Sequence, residues 1–186
     1  MNERPSVGKA AAVGFPVIVA VTASLFALSY CLTYLLGAPQ KLDFPLAAQA
    51  AGGALVLAGL TLTAWTFWNR NPANVILSTY LTLTKLFRRS AISDGAGRME
   101  PLVVTGPQKY TRNPLYFGVV VMVFGWALAG SYTFVLVAAA VLLVFYSLLL
   151  IPFEEKELHA LFGGQWERYS RETPMLLPFS KRRRTS

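Results

Sequence analysis

Apolar residues in this chain fall into long runs without a charged residue, and the longest begins after Arg112. No residue from Asn113 to Phe153 is charged. A bilayer core is about 30 Å thick and a helix rises about 1.5 Å per residue, so one span needs about 20 residues. The run is about twice that length, and the polar segment Gly130-Ser131-Tyr132-Thr133 lies near its middle. The pattern predicts a helical hairpin that runs from Pro114 to about Gly130 and returns from about Thr133 to Pro152.

Two further apolar runs precede the hairpin. The first predicts a span at about Val13–Leu36, which is too long for the core of a signal peptide and is expected to be a retained helix. The second predicts a span from about Phe44 to Trp68, in which the Gly52-Gly53 pair favours close helix approach. The sequence therefore predicts an all-α integral membrane protein with about four transmembrane helices, arranged as a single membrane domain over residues 1–186 with two N-terminal spans in residues 1–70.

The other segments are predicted to lie at the membrane surface. In the connector, residues 71–105, the apolar but Thr- and Ser-containing stretch Val75–Phe87 favours an interfacial helix or a continuation of the second span. A loop is expected at residues 93–97, and residues 179–186 form a basic tail suited to an anionic lipid surface. Residues 153–169 predict one amphipathic helix, weakened or bent at Gly163-Gly164. This helix is predicted to close a pocket over the hairpin mouth, the membrane face at which the hairpin begins and ends. Its apolar stripe consists of Leu158, Leu161, Phe162, Trp166 and Tyr169.

Composition and charge narrow the class of protein. Of 186 residues, 54% are hydrophobic and 14% are charged, against about 25% charged in soluble domains. The net charge of +8 does not indicate nucleic acid here, because the basic residues flank the apolar runs. With four spans, every Lys and Arg except Lys41 falls on one side, so both termini and the hairpin mouth are predicted to be cytoplasmic. The single cysteine, Cys31, and the single histidine, His159, predict neither a disulfide nor a metal site.

Candidate chemistry gathers at the two ends of the hairpin. A hairpin returns its ends to one face of the membrane, so Arg112 and Asn113 are expected to meet Glu154 and Glu155. The helix start at Pro114 offers backbone N–H groups and a positive dipole end to an anion, and Arg112 suits a bidentate contact with a carboxylate. Adjacent glutamates on a helix point about 100° apart, which predicts one inward and one outward carboxylate. The inward carboxylate would pair with Arg112, with a cationic ligand or with ribose hydroxyls. The alternative is that these charged residues only anchor the helix ends at the membrane interface.

These residues resemble the isoprenylcysteine carboxyl methyltransferase and phospholipid methyltransferase group of membrane enzymes. The resemblance spans about residues 106–178. It rests on Gly106, Pro107, Tyr110, Arg112, Asn113, Pro114, Tyr116 and Gly118, then Glu154 and Glu155, then Phe162, Gly163, Trp166 and Tyr169. Asn113 stands where the better-studied members carry His, so a histidine base is excluded, and Trp166 replaces a Tyr.

The resemblance implies S-adenosylmethionine as the methyl donor and a membrane lipid or lipidated substrate, such as a prenylcysteine carboxylate or a phospholipid amine, as the acceptor. It implies catalytic roles for Arg112 and Glu154. The cofactor-binding residues it implies are Tyr110, Arg112, Asn113, Pro114, Tyr116, Gly118, Glu154 and Glu155.

Two other functions fit parts of the sequence. Membrane reductases related to sterol reductases, which use NADPH, resemble the same C-terminal region. Those reductases carry Arg-His-Pro-Asn-Tyr, with asparagine after the proline and a glutamate soon after the next glycine. This chain has Leu115 after Pro114 and Val119 after Gly118, which argues against a reductase. The remaining alternative is a non-catalytic membrane protein whose charged mouth binds a lipid head group or a protein partner.

Overall fold

The computed structural model describes residues 7–88 and 101–178, so the predicted loop at 93–97 and the basic tail at 179–186 lie outside the described residues. Within these ranges the regular elements are helices, and the extended pairing is an isolated bridge between Lys41 and Tyr132. A 3-10 turn, Gly106–Lys109, precedes the hairpin, and a π-helical turn, Tyr146–Leu150, interrupts its second arm. The α-helices are α1 (Val7–Leu35), α2 (Leu46–Asn69), α3 (Pro72–Arg88), α4 (Pro114–Gly130), α5 (Thr133–Phe145), α6 (Ile151–Phe162) and α7 (Gly164–Glu172).

Among the described residues, three helices are long and apolar enough to cross a membrane. They are Ala12–Leu35, Leu46–Asn69 and Thr133–Phe162. The fourth predicted span corresponds to α4, an apolar helix of 17 residues, somewhat short of the ~20 residues that a perpendicular span needs. The all-helical membrane class is confirmed, and the count of four spans stays a prediction.

The predicted hairpin is present as α4 and α5, joined by a tight turn at Ser131. This residue has φ 56° in the left-handed region. Its carbonyl accepts a hydrogen bond from the N–H of Leu42 at 2.9 Å, and the N–H of Thr133 donates to Gln40 at 3.2 Å. The hairpin turn and the loop between α1 and α2 therefore lie together at one end of the bundle, and the start of α4 lies at the other.

Glycines allow α2 and α4 to pack with their backbones almost in contact. A Cβ at Gly52 would lie 2.6 Å from the carbonyl oxygen of Gly125, and one at Gly59 would lie 2.6 Å from that of Gly118. No described atom lies within 4 Å of the corresponding position at Gly53. The close approach predicted for the pair thus involves Gly52, because the two glycines point to different sides of the helix.

The helix α3 is a separate element, so the hypothesis that it continues the second span is wrong. Arg70, after α2, has an extended backbone with φ −133° and ψ 142°. Pro72 has no N–H and disfavours helical geometry at Asn71, so the chain turns there before α3 begins. The new helix packs against α1, where a Cβ at Gly14 would lie 2.7 Å from Cβ of Tyr80.

The second arm of the hairpin is longer than predicted. Pro152 does not end it: the helix passes through the π turn and continues as α6 to Phe162. The π turn, in which the N–H of Ile151 bonds to the carbonyl of Tyr146, changes the hydrogen-bond register just before the proline that lacks a donor.

The helix predicted at 153–169 is interrupted at the glycine pair where a weakening or bend was predicted. Gly163, with φ 48°, separates α6 from α7. The chain changes direction there, so the predicted apolar stripe does not remain on one face. Leu161 is 38% exposed, whereas Trp166 and Tyr169 are buried.

Candidate functional site

Arg112 joins three parts of the chain at the mouth of the hairpin. Its Nη2 lies 2.8 Å from Oε1 and 3.2 Å from Oε2 of Glu155, as the hairpin geometry predicts. Its Nη1 donates to the carbonyl of Ser170 at 2.6 Å, and its Cζ lies 5.6 Å from the ring centre of Trp166. The guanidinium therefore links the start of α4 to α6 and α7. Its Nε is buried and has no hydrogen-bond partner among the described residues, so one donor remains for a ligand.

Glu154 is buried beside this ion pair and has a different set of contacts. The hydroxyl of Tyr116 donates to its Oε2 at 3.0 Å. The Tyr116 ring packs against Tyr146, the first residue of the π turn, with 4.8 Å between ring centres. Both glutamates thus face the protein, contrary to the prediction of one inward and one outward, because the start of α4 lies over Glu154 and Arg112 reaches round to Glu155.

The segment before α4 is bound to the chain that follows α7. The N–H of Arg112 donates to the carbonyl of Pro174 at 2.9 Å. Thr111 Oγ1 and Asn113 Nδ2 both donate to the carbonyl of Met175, at 3.2 and 2.9 Å. The amide of Asn113 therefore holds the C-terminal segment over the hairpin mouth, which is a positioning contact.

A narrow cleft opens between these elements. Its cavity volume is about 70 Å³. The cleft is lined by Thr66, Arg70, Val75, Ser78, Thr79, Pro101, Leu102, Val103, Gln108, Arg112, Asn113, Pro114, Leu115, Tyr116, Glu154, Leu158, Phe162, Trp166 and Tyr169.

The structure brings most of the predicted site residues together, but not all of them. Arg112, Asn113, Pro114, Tyr116 and Glu154 line the cleft, and Glu155 lies behind Arg112. The other two predicted residues, Tyr110 and Gly118, lie outside it. The ring of Tyr110 is 59% exposed and lies 6.2 Å from that of Trp65. At Gly118, a Cβ would lie 2.7 Å from Oγ1 of Thr63, so this glycine allows α4 to pack on α2.

Several polar residues of the site have no motif in the sequence that reveals them. The helix α3 contributes Ser78 and Thr79 to the cleft. From the same helix, Lys85 Nζ forms a 2.6 Å ion pair with Oε1 of the buried Glu157, and Thr82 donates to its Oε2 at 3.4 Å. The available signal was the row of Ser, Thr and Lys residues on the otherwise apolar α3. The sequence does not show which neighbour these side chains face, because that depends on how α3 packs.

The connection between the 3-10 turn and α7 was also not predicted. The hydroxyl of Tyr169 donates to the backbone carbonyl of Gln108 at 2.8 Å. Burial raises the pKa of the Tyr169 hydroxyl, and Arg112 only partly opposes this shift. The hydroxyl therefore stays protonated at neutral pH and remains a donor that fixes the turn on α7.

A protein-family model and a relative of known name both match the chain. Residues 47–165 match the model of a family described as phospholipid methyltransferase. Methanethiol S-methyltransferase of Crocosphaera subtropica is 37% identical to the chain over a match 75 residues long, and the match covers 38% of this chain. The match spans about a quarter of that relative's length, 27%. No solved structure matches the chain.

Proposed function

Because the chain belongs to the phospholipid methyltransferase family, we propose that it is a membrane-embedded methyltransferase whose donor is S-adenosylmethionine and whose site is the cleft at the hairpin mouth. The supporting observation is the convergence of Arg112, the buried Glu154 and the aromatic walls Trp166 and Tyr169 on one cleft. We further propose that residues 106–178 carry this site within a single membrane domain, and that residues 1–70 provide spans that support it.

The donor set of the cleft fits S-adenosylmethionine. The unpartnered Nε of Arg112 suits the carboxylate of the ligand, and the N-terminal end of α4 adds a positive dipole. The carboxylate of Glu154 suits the ammonium group or the ribose hydroxyls. Trp166 and Tyr169 provide flat apolar surfaces of the kind on which a base stacks. When bound, S-adenosylmethionine supplies an electrophilic methyl group on a positively charged sulfur.

Catalysis in such a site depends on positioning and on the exclusion of water. Arg112, fixed by Glu155 and Ser170, orients the ligand without needing to rearrange. An amine or thiol acceptor must lose a proton as its new bond to carbon forms, and Glu154 is the buried carboxylate that can take it. A carboxylate acceptor needs no base, so Glu154 would then act only in binding.

Two classes of acceptor have support. Family membership and the apolar helices favour a membrane lipid or lipidated substrate, either a phospholipid amine or a prenylcysteine carboxylate. The name of the cyanobacterial relative adds a second candidate, a small thiol. The positive-inside rule supports a cytoplasmic site with both termini on the same side, so a lipid acceptor would present its reactive head at the cytoplasmic interface.

Calorimetric titration of the detergent-solubilised protein tests the donor. We expect saturable binding of S-adenosylmethionine and of its demethylated product, and no binding of NADPH. Arg112→Ala removes the proposed contact with the ligand carboxylate, and Glu155→Gln weakens the ion pair that orients Arg112. Each substitution is expected to weaken binding by about 10-fold or more. Lys109→Ala, an exposed basic residue close to Arg112 in sequence, is the matched control and should bind as the wild type does.

The opposite results have distinct meanings. Binding of NADPH alone would favour the reductase. Failure of a folded protein to bind either ligand would favour a non-catalytic role. Unchanged affinity in both variants would remove the cleft as the binding site. Once the donor is established, transfer of a labelled methyl group to phosphatidylethanolamine vesicles, a prenylcysteine or a short thiol identifies the acceptor.

A further inference from the structure

Gln108 is a buried polar side chain without a partner. Its residue is 4% exposed, and neither Oε1 nor Nε2 has a hydrogen-bond partner among the described residues. Buried polar groups in proteins are nearly always paired, because leaving them unpaired is costly. A buried amide with both atoms free and with its residue lining a cleft is therefore expected to pair with something that enters the cleft.

The backbone of Gln108 is fixed by hydrogen bonds, so the point from which its side chain extends is set before any ligand binds. Its carbonyl accepts from the Tyr169 hydroxyl at 2.8 Å, and its N–H donates to the carbonyl of Thr105 at 3.3 Å. Gly106, two residues earlier, has φ 61°, and a Cβ there would lie 2.5 Å from Oδ1 of Asn69 on α2. The turn is thus clamped between α2 and α7.

Two aromatic residues of α7 line the same cleft as Gln108. The Tyr169 hydroxyl contacts the backbone carbonyl of Gln108, and the ring of Trp166 lies 5.6 Å from that of Tyr169, edge to face. Leu102 and Phe162 also line the cleft. An unpaired neutral amide in a cleft with aromatic side chains suits a neutral heteroaromatic ring better than it suits a charged group, and Arg112 and Glu154 are available for the charged parts of a ligand.

A carboxamide presents one donor and one acceptor side by side. The same pair occurs in reverse on the edge of adenine, where the 6-amino group donates and an adjacent ring nitrogen accepts, and glutamine pairs with adenine in this bidentate manner. We propose that Gln108 is a specificity-determining residue that pairs with the adenine edge of the methyl donor while Trp166 and Tyr169 flank the ring. This inference rests on the proposed function, since it presumes an adenosine-containing ligand.

The test compares the affinities of two ligands for the wild type and for one variant. The ligands are the demethylated product, S-adenosylhomocysteine, and its purine-riboside analogue, which lacks the 6-amino group. The proteins are the wild type and Gln108→Met, which preserves length and removes both polar atoms. Gln165→Met, an exposed glutamine on α7, is the matched control. Affinities are measured by calorimetry in detergent, and folding is checked by thermal unfolding of each variant.

We expect the wild type to bind the analogue about 10-fold more weakly than the product, the loss typical of an unpaired buried group. Gln108→Met should lose about the same factor for the product and should then no longer distinguish the two ligands. Gln165→Met should behave as the wild type does. Such coupling between the 6-amino group and Gln108 is the signature of a direct contact.

Three results would overturn the inference. If the wild type binds both ligands equally, the protein makes no specific contact with the 6-amino group. This comparison uses only the wild type and so does not depend on whether a variant folds. If Gln108→Met keeps the wild-type preference, another group pairs with the adenine edge, and Gln108 does not determine specificity. If the wild type does not bind S-adenosylhomocysteine at all, the proposed donor fails, and the inference fails with it.

Discussion

Nζ of Lys85 on α3 lies 2.6 Å from Oε1 of Glu157 on α6, and this ion pair fastens α3 to the C-terminal part of the hairpin arm. The carboxylate side chain is 8% exposed and the amine side chain is 23% exposed. Thr82 donates to the other carboxylate oxygen. The pair lies one turn along α6 from Glu154, so it fixes the helix that carries the candidate site.

Removing one partner of this pair should be more damaging than removing both. Lys85→Met leaves a buried carboxylate with its charge uncompensated, and we expect a loss of about 2 kcal/mol in the free energy of unfolding. The double variant Lys85→Met/Glu157→Leu removes the unpaired charge as well and should recover most of the loss. Arg171→Ala is the control, because the Arg171–Glu167 pair is largely exposed and such pairs contribute little. Thermal unfolding in detergent measures all three, and a double variant no more stable than the single one would contradict the expectation.

Gly52 and Gly53 offer a test of helix packing at adjacent positions. Gly52→Ala would place a Cβ 2.5 Å from the backbone N of Ala129, and we expect it to destabilise the protein by about 1–3 kcal/mol because the helices must separate. Gly53→Ala meets no described atom within 4 Å and should be neutral or stabilising by up to about 1 kcal/mol, since alanine is the better helix former. Equal unfolding temperatures for the two variants would rule out the close α2–α4 contact.

Tyr116→Phe removes the hydroxyl that donates to Glu154. We expect a loss of about 1–3 kcal/mol in stability, because a buried carboxylate oxygen loses a donor. In the background of Glu154→Gln the same change should cost less, and the difference measures the coupling of the two side chains. Tyr34→Phe, at a ring that is 73% exposed, is the control. Additive losses in the double variant would show that the hydroxyl and the carboxylate do not stabilise each other.

The orientation in the membrane can be tested with reporters. A reporter fused after Ser186 should read cytoplasmic, because all Lys and Arg residues except Lys41 lie on the same side as the C-terminus in the four-span topology. A reporter inserted in the loop beside Lys41 should lie on the opposite side of the membrane. A C-terminal reporter found outside the cytoplasm would exclude the predicted orientation, and two reporters on the same side would exclude the four-span arrangement.

Much of the fold was predictable because it depends on local patterns. The helix bounds at Leu35, Leu46 and Pro114 lie within two residues of the predicted ones, because uncharged runs and the proline and polar residues beside them set these bounds. The meeting of Arg112 with Glu155 followed from the hairpin alone, since a turn near Ser131 returns both ends to one side. One local prediction that failed was that Pro152 ends a helix, because proline disrupts a regular helix but is accommodated where a π turn shifts the register.

The sequence by itself determined the membrane class, the hairpin and the identity of the charged groups at its mouth, because hydrophobic runs and helix-terminating residues act over short stretches of chain. Only the tertiary structure decided which side chains line the cleft. Tyr110 turned outward to Trp65, Gly118 turned toward α2, and Gln108 was buried with an unpaired amide. These outcomes depend on how helices distant in sequence pack, and a side chain's direction is fixed by its neighbours across that packing and not by its neighbours along the chain.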